Sequence, residues 1–259
     1  MSIDLTITGS VAEIVLNAPE RLNSVNETDL ADLGLAFTAA QEARVGAVLL
    51  RGEGRAFCAG RDISNVVPAT DDATAYLAHR VTPLLRQIAD FPAPTFAAAT
   101  GACLGVGLGL LIACDVVYVA YNAKIGSPFA NLGATLDSGG HALFFERLGA
   151  HRTLDLIYTA ELMSGAEAVA AGLFSRAVPE AELLDFARER VVRASTGAIE
   201  AFRASKALVR ELRDERLGLW ASVDHENVAQ GALCETEDYH EGFAAFQEKR
   251  APVFGSAAR

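Results

Sequence analysis

The 259-residue sequence predicts an α/β fold, with a parallel sheet built from the first two thirds and helices filling the last third. Three observations carry that reading. Short runs rich in β-branched and aromatic residues alternate with amphipathic stretches, the pattern of strands joined by helical crossovers. From Glu182 to Glu248 the pattern is helical almost throughout, with charges of alternating sign along solvated faces. No Gly/Ser/Pro-rich linker divides the two parts, and hydrophobic residues at 51% against 21% charged provide a substantial core and exclude disorder.

The elements follow in order. LTITGSVAEIVLN alternates apolar and polar residues around a Gly-Ser turn and reads as a hairpin. Asn26 caps a helix to about Gln41, with Leu30, Leu33, Phe37 and Ala40 on one face. VGAVLLRG is a buried strand, and GEGRAFCAGRDI has neither helical nor strand period and is a loop. A helix from Asp71 to about Asp90 stops at Phe91-Pro92. Pro92 to Cys114 is a run of 23 uncharged residues, long enough to imitate a membrane span. Two prolines, four glycines and flanks without aromatic or basic anchors argue against one. The run divides instead into a strand at Thr95–Ala99, a glycine turn, and a helix from about Gly105 that ends before Asp115. Asp115–Tyr121 is a strand. Helical stretches follow at His141–Leu148, Arg152–Thr159 and Ala166–Ala171, and RAVPEAEL supplies a last strand and a helix start.

Charge and cysteine usage exclude several function classes. Lysine plus arginine total 22 against 33 acidic residues, a net charge of −11, which disfavours nucleic-acid binding. No basic amphipathic stripe marks a membrane-surface helix. The start lacks a basic stretch followed by an apolar run, so no signal peptide is visible. Four cysteines without CxxC or Cys/His ligand spacing predict no metal site and reduced thiols in a cytoplasmic protein. Gly105-x-Gly107-x-Gly109 lacks the acidic residue about twenty positions on that a dinucleotide fingerprint requires. Those glycines mark either close helix packing or backbone N–H groups exposed to a ligand oxygen at a helix N-terminus.

The segments LNAPERLNSVN, VLLRGEGRAFCAGRDI, GACLGVGLGLLIACDVVYVA, KIGSPFANLGATLDSGG and EGFAAFQEKR resemble the enoyl-CoA hydratase/isomerase (crotonase) superfamily in order and spacing, across essentially the whole chain. The resemblance implies a crotonase-like spiral of ββα units over 1–195 and a helical C-terminal trimerisation region over 196–259 that completes part of the CoA site. It implies an acyl-CoA thioester as substrate and an enolate as intermediate. Coenzyme A enters as part of the substrate, without a prosthetic group or metal. It also implies a homotrimer or a dimer of trimers, with no nucleic-acid or membrane partner.

By position, the resemblance assigns the thioester oxygen to the backbone N–H groups of Arg61 and Val106, preorganised donors where negative charge develops. It places CoA contacts on Ala59, Arg61, Asp62 and Ile63 and on Lys249. A solvated side chain is the alternative for both Arg61 and Lys249. The two glutamates of similar hydratases are missing, since Gly109 and Phe129 stand in their places and neither can titrate. Asp137 matches an aspartate of isomerase branches, and both LDSGG and FCAGRDI are similar to stretches of the ring-rearranging isomerases of phenylacetyl-CoA degradation. The resemblance thus implies an isomerase using Asp137 as acid/base in a pocket with Phe129, Leu132 and His141. Capping of the following helix by Asp137 or Ser138 is the structural alternative. A hydratase, lyase or hydrolase with another water-positioning group, and a non-catalytic acyl-CoA-binding protein, are the functional ones.

Overall fold

A computed structural model describes residues 2–67 and 69–255. Alternation at the N-terminus gives the expected hairpin, β1 (Ile3–Thr8) and β2 (Val11–Leu16), paired from Ile3 with Leu16 to Thr8 with Val11. Its two-residue turn places Gly9 at φ +57°, a conformation that favours glycine. Helix α1 (Glu27–Glu42) begins with a capping box: the Asp29 N–H donates to Asn26 Oδ1 (3.0 Å) and the Asn26 N–H to the Asp29 carboxylate (2.9 Å). All four residues expected on its inner face are buried.

β3 (Ala47–Gly52) leads through the CAGRDI loop to α2 (Ala73–Tyr76), a π-helical turn at Leu77–Val81, and α3 (Thr82–Ala89). The sequence predicts one continuous helix here. Pro83 breaks it, because proline has no N–H for the carbonyl one turn back, and the Thr82 N–H reaches instead to Leu77. β4 (Thr95–Ala99), β5 (Ala102–Leu104) and α4 (Val106–Ala113) then occupy the uncharged run. α4 is apolar on every side, and six of its eight residues are buried, as expected of a helix at the centre of a fold. β6 (Val116–Ala120), β7 (Lys124–Gly126) and α5 (Gly140–Thr159) repeat the same order, so two ββα units follow one another. The two helical stretches expected after Gly140 form one element that breaks at Gly149 (φ 74°, ψ 172°). β8 (Met163–Ser164), α6 (Gly165–Ala170), β9 (Arg176–Val178) and α7 (Glu180–Ser195) complete the part that packs on the sheet.

The large sheet has the order β1-β2-β3-β4-β6-β9 and is parallel except for the hairpin. A second sheet, β5-β7-β8, escapes sequence reading because strands of two or three residues show no period. Helices α8 (Ile199–Asp214), α9 (Leu219–Leu233) and α10 (Glu237–Glu248) form the C-terminal region. Asp115, just beyond α4, ties α8 to the core. Its carboxylate accepts from Lys206 Nζ (2.9 Å) and from the backbone and hydroxyl of Thr95 (2.9 and 3.0 Å). Among the described residues, no helix is long and apolar enough to cross a membrane.

Candidate active site

The CAGRDI loop is fixed from below by the turn before α1. Asn23 is buried at φ +54°, and its amide donates to the carbonyls of Glu53 (2.9 Å) and Ala56 (2.7 Å) and accepts from the Ala18 N–H (2.8 Å). The Ala59 N–H donates to Leu22 O, the Val25 N–H to Gly60 O, and the Asp62 N–H to Val25 O. In this parallel bridge the groups of Gly60 and Asp62 face Val25, so the N–H of Arg61 between them points to the opposite side.

On that side lies the start of α4. A Cβ on Gly60 would fall 2.9 Å from Leu104 O and 3.7 Å from the Val106 nitrogen. Gly105 turns the chain at φ +53° into α4, whose first turn has no side-chain cap. The Val106 N–H, first in the helix, has no carbonyl one turn earlier to receive it. A Cβ on Gly107 would meet Cys58 O at 2.3 Å, so glycine lets α4 press against the loop. The close-packing reading of the glycines holds at Gly107, while Gly105 turns the chain into the N-terminus of α4. Cys58 beneath them is no nucleophile, because burial pushes its thiol up to about 12.

The third wall is the Asp137–Ser138 segment. A Cβ on Gly109 would lie 2.5 Å from Ser138 Cβ, so the space beside Gly109 is filled by Ser138. Neither Asp137 nor Ser138 caps α5, whose N-cap is Gly139 and lacks a side-chain bond. Asp137 Oδ1 and Ser138 Oγ are both buried without a hydrogen-bond partner, and Ser138 adopts φ +52°. Burial is the largest influence on Asp137 and pushes its carboxyl above the ordinary aspartate value. The polar Ser138 side chain next to it and the charge of His141 oppose this shift.

The remaining expected residues divide by location. Phe129 opens a 3-10 turn, and its ring lies 2.9 Å from where a Cβ on Gly105 would be, directly beside the helix start. Leu132, at the end of that turn, is 63% exposed in the single chain. His141 is exposed, with Nε2 3.5 Å from Thr135 Oγ1. Ala59 is half-buried and Ile63 exposed, while Asp62 accepts from the N–H and hydroxyl of Ser64 (3.0 and 2.7 Å). The Arg61 side chain is engaged: Asp71 holds its guanidinium in a fork (2.7 and 2.9 Å), and it lies 4.0 Å over the Tyr76 ring. Lys249 caps the end of α10 at φ +55° and is exposed. Among the described residues, no three His, Cys, Asp or Glu side chains are grouped to hold a metal ion. Tyr76 is the residue that sequence reading missed. It is the sole aromatic between Asp71 and Asp90, and no spacing marks it.

Residues 6–257 match the enoyl-CoA hydratase/isomerase family. A Mycobacterium bovis protein named "Probable enoyl-CoA hydratase" is 35% identical over 245 residues, 94% of each chain. The (E)-benzylidenesuccinyl-CoA hydratase of Thauera aromatica is 28% identical over 263 residues, covering 99% of this chain and all of its own. The crystal structure of an enoyl-CoA hydratase from Bacillus anthracis superimposes with a TM-score of 0.88 at 29% identity, over 99% of this chain and 100% of that one.

Proposed function

Because the chain belongs to the enoyl-CoA hydratase/isomerase family, we propose that it acts on an acyl-CoA thioester as an isomerase. The backbone N–H groups of Arg61 and Val106 hold the thioester oxygen, which acidifies a proton on the acyl chain. Asp137 removes that proton, an enolate or dienolate forms, and Asp137 returns the proton at another carbon. A double bond migrates, or a strained ring rearranges, without net addition of water. The observation that carries this reading is the pair of buried, unpartnered oxygens on Asp137 and Ser138 beside α4, where positions 109 and 129 offer no titratable group. The similarity of FCAGRDI and LDSGG to the ring-rearranging isomerases of phenylacetyl-CoA degradation supports a substrate of that kind. The four free thiols fit a cytoplasmic setting.

The hydratase names of the relatives favour a second reading, water addition with a different positioning group. Ultraviolet absorbance separates the two. A 3-enoyl-CoA should gain conjugated absorbance, and crotonyl-CoA should keep its own while its α- and γ-protons exchange in D2O. Loss of the crotonyl-CoA absorbance at a comparable rate would instead establish hydration. Tight acyl-CoA binding with no exchange would establish a non-catalytic protein.

We also propose that residues 196–259 form a homotrimer, alone or doubled. Leu219, Trp220, Val228, Phe243 and Phe246 expose between 54% and 84% of their surface on α9 and α10, a concentration of bare aromatic and aliphatic area that association would cover. Sedimentation equilibrium should give three or six times the 27.3 kDa chain mass, and a monomer at micromolar concentration would remove this assignment.

A further inference from the structure

Tyr76 is 6% exposed, and its hydroxyl has no hydrogen-bond partner among the described residues. A buried phenol normally finds one, since an unmet hydroxyl loses its hydration without replacement. Its position is also held from two directions. The Arg61 guanidinium covers the ring at 4.0 Å and is itself locked by the fork to Asp71, so the ring cannot turn outward without breaking that pair. Tyr76 is the last residue of α2 before the π-helical turn. There the repeat of five residues puts Tyr76 and Val81 on one side, and both are buried.

The ring adjoins the loop of the site described above through the Arg61 side chain. Arg61, whose guanidinium lies 4.0 Å over the ring, follows Gly60, where a Cβ would fall 2.9 Å from Leu104 O and 3.7 Å from the Val106 nitrogen. Burial holds the phenol above its ordinary value, so it stays protonated and serves as a donor over the working pH range. The thioester oxygen already has two backbone donors in the proposed mechanism, which leaves the tyrosine to meet something else on the acyl group. A purely hydrocarbon chain would bury the hydroxyl permanently unmet.

Resting on the isomerase reading, we propose that Tyr76 is a specificity-determining residue: its hydroxyl donates to an oxygen borne by the acyl group beyond the thioester. The substrate class is therefore an oxygenated acyl-CoA, carrying a hydroxyl, carbonyl, carboxyl or ring oxygen, rather than a simple alkenoyl-CoA.

Calorimetric titration with butyryl-CoA, 3-hydroxybutyryl-CoA and 4-hydroxybutyryl-CoA tests this, using full-length protein carrying Asp137→Asn to prevent turnover. At least one hydroxylated ligand should bind tighter than butyryl-CoA by roughly 2- to 13-fold, the worth of one neutral hydrogen bond. Adding Tyr76→Phe should erase that preference and leave butyryl-CoA affinity unchanged, which also shows that the isosteric ring still folds in place. Equal affinity for all three ligands, or a preference that survives Tyr76→Phe, overturns the role of Tyr76 while leaving the isomerase reading intact. Failure of every ligand to bind overturns both.

Discussion

Replacing Asp137 by Asn should lower double-bond migration and α-proton exchange by roughly 10²–10⁴-fold, with acyl-CoA affinity kept within a few-fold. The amide matches the carboxylate in shape but cannot take and return a proton, and the two backbone donors proposed to bind the thioester are untouched. The acid limb of the activity profile should lie above the ordinary aspartate value of 3.8, because burial disfavours the carboxylate proposed as the base. Stability should move the other way. A carboxyl whose folded-state pKa is raised binds its proton more tightly in the native protein than in the unfolded chain. Its contribution is therefore full below 3.8 and is lost as pH rises through the folded-state value. At neutral pH the variant escapes burial of a charge, so its melting temperature should rise, at about 2–4 °C per kcal/mol for a chain of this size. Turnover within a few-fold of wild type, with no change in melting temperature, would return Asp137 to the role of a bystander.

The sequence exposes the large sheet, α1 and the helical C-terminal region because each has enough residues to show a period or a cap. The same reading loses β5, β7 and β8, whose brevity leaves no pattern, and it runs a straight helix through Pro83 where the chain inserts a π-helical turn. At the site, the loop and the glycine-rich helix start are legible because glycine at 105 and 107 is a backbone requirement written into the chain. Tyr76 and the fork between Arg61 and Asp71 are not legible, since they depend on which side chains meet after the loop closes. The net charge of −11 misleads in the same way: the groups proposed for the thioester oxygen are uncharged N–H donors, which a charge count does not register.

Writing a glutamate back at position 109 should not restore hydration, and the reason is steric before it is chemical. The new Cβ would lie 2.5 Å from Ser138 Cβ, 3.1 Å from Ser138 O and 3.3 Å from its hydroxyl. α4 cannot retreat, because on its other side a Cβ on Gly107 would already lie 2.3 Å from Cys58 O. The helix is wedged, so the strain passes to the 137–138 segment and carries Asp137 with it. Gly109→Glu should destabilise the protein by roughly 1–3 kcal/mol, as overpacking does, and should lower isomerase turnover at least tenfold. Adding Ser138→Gly removes the colliding Cβ and hydroxyl at a residue held at φ +52°, where glycine is favoured. The double variant should therefore regain most of the lost stability, with a coupling of about 1 kcal/mol or more in a denaturant double-mutant cycle. Water addition should still be absent from it, because hydration by the two-carboxylate route needs a second group at position 129, where the Phe129 ring packs beside Gly105. If Gly109→Glu alone proves as stable as wild type and hydrates crotonyl-CoA, the segment at Ser138 is not the barrier, and the site is a hydratase lacking only its glutamate.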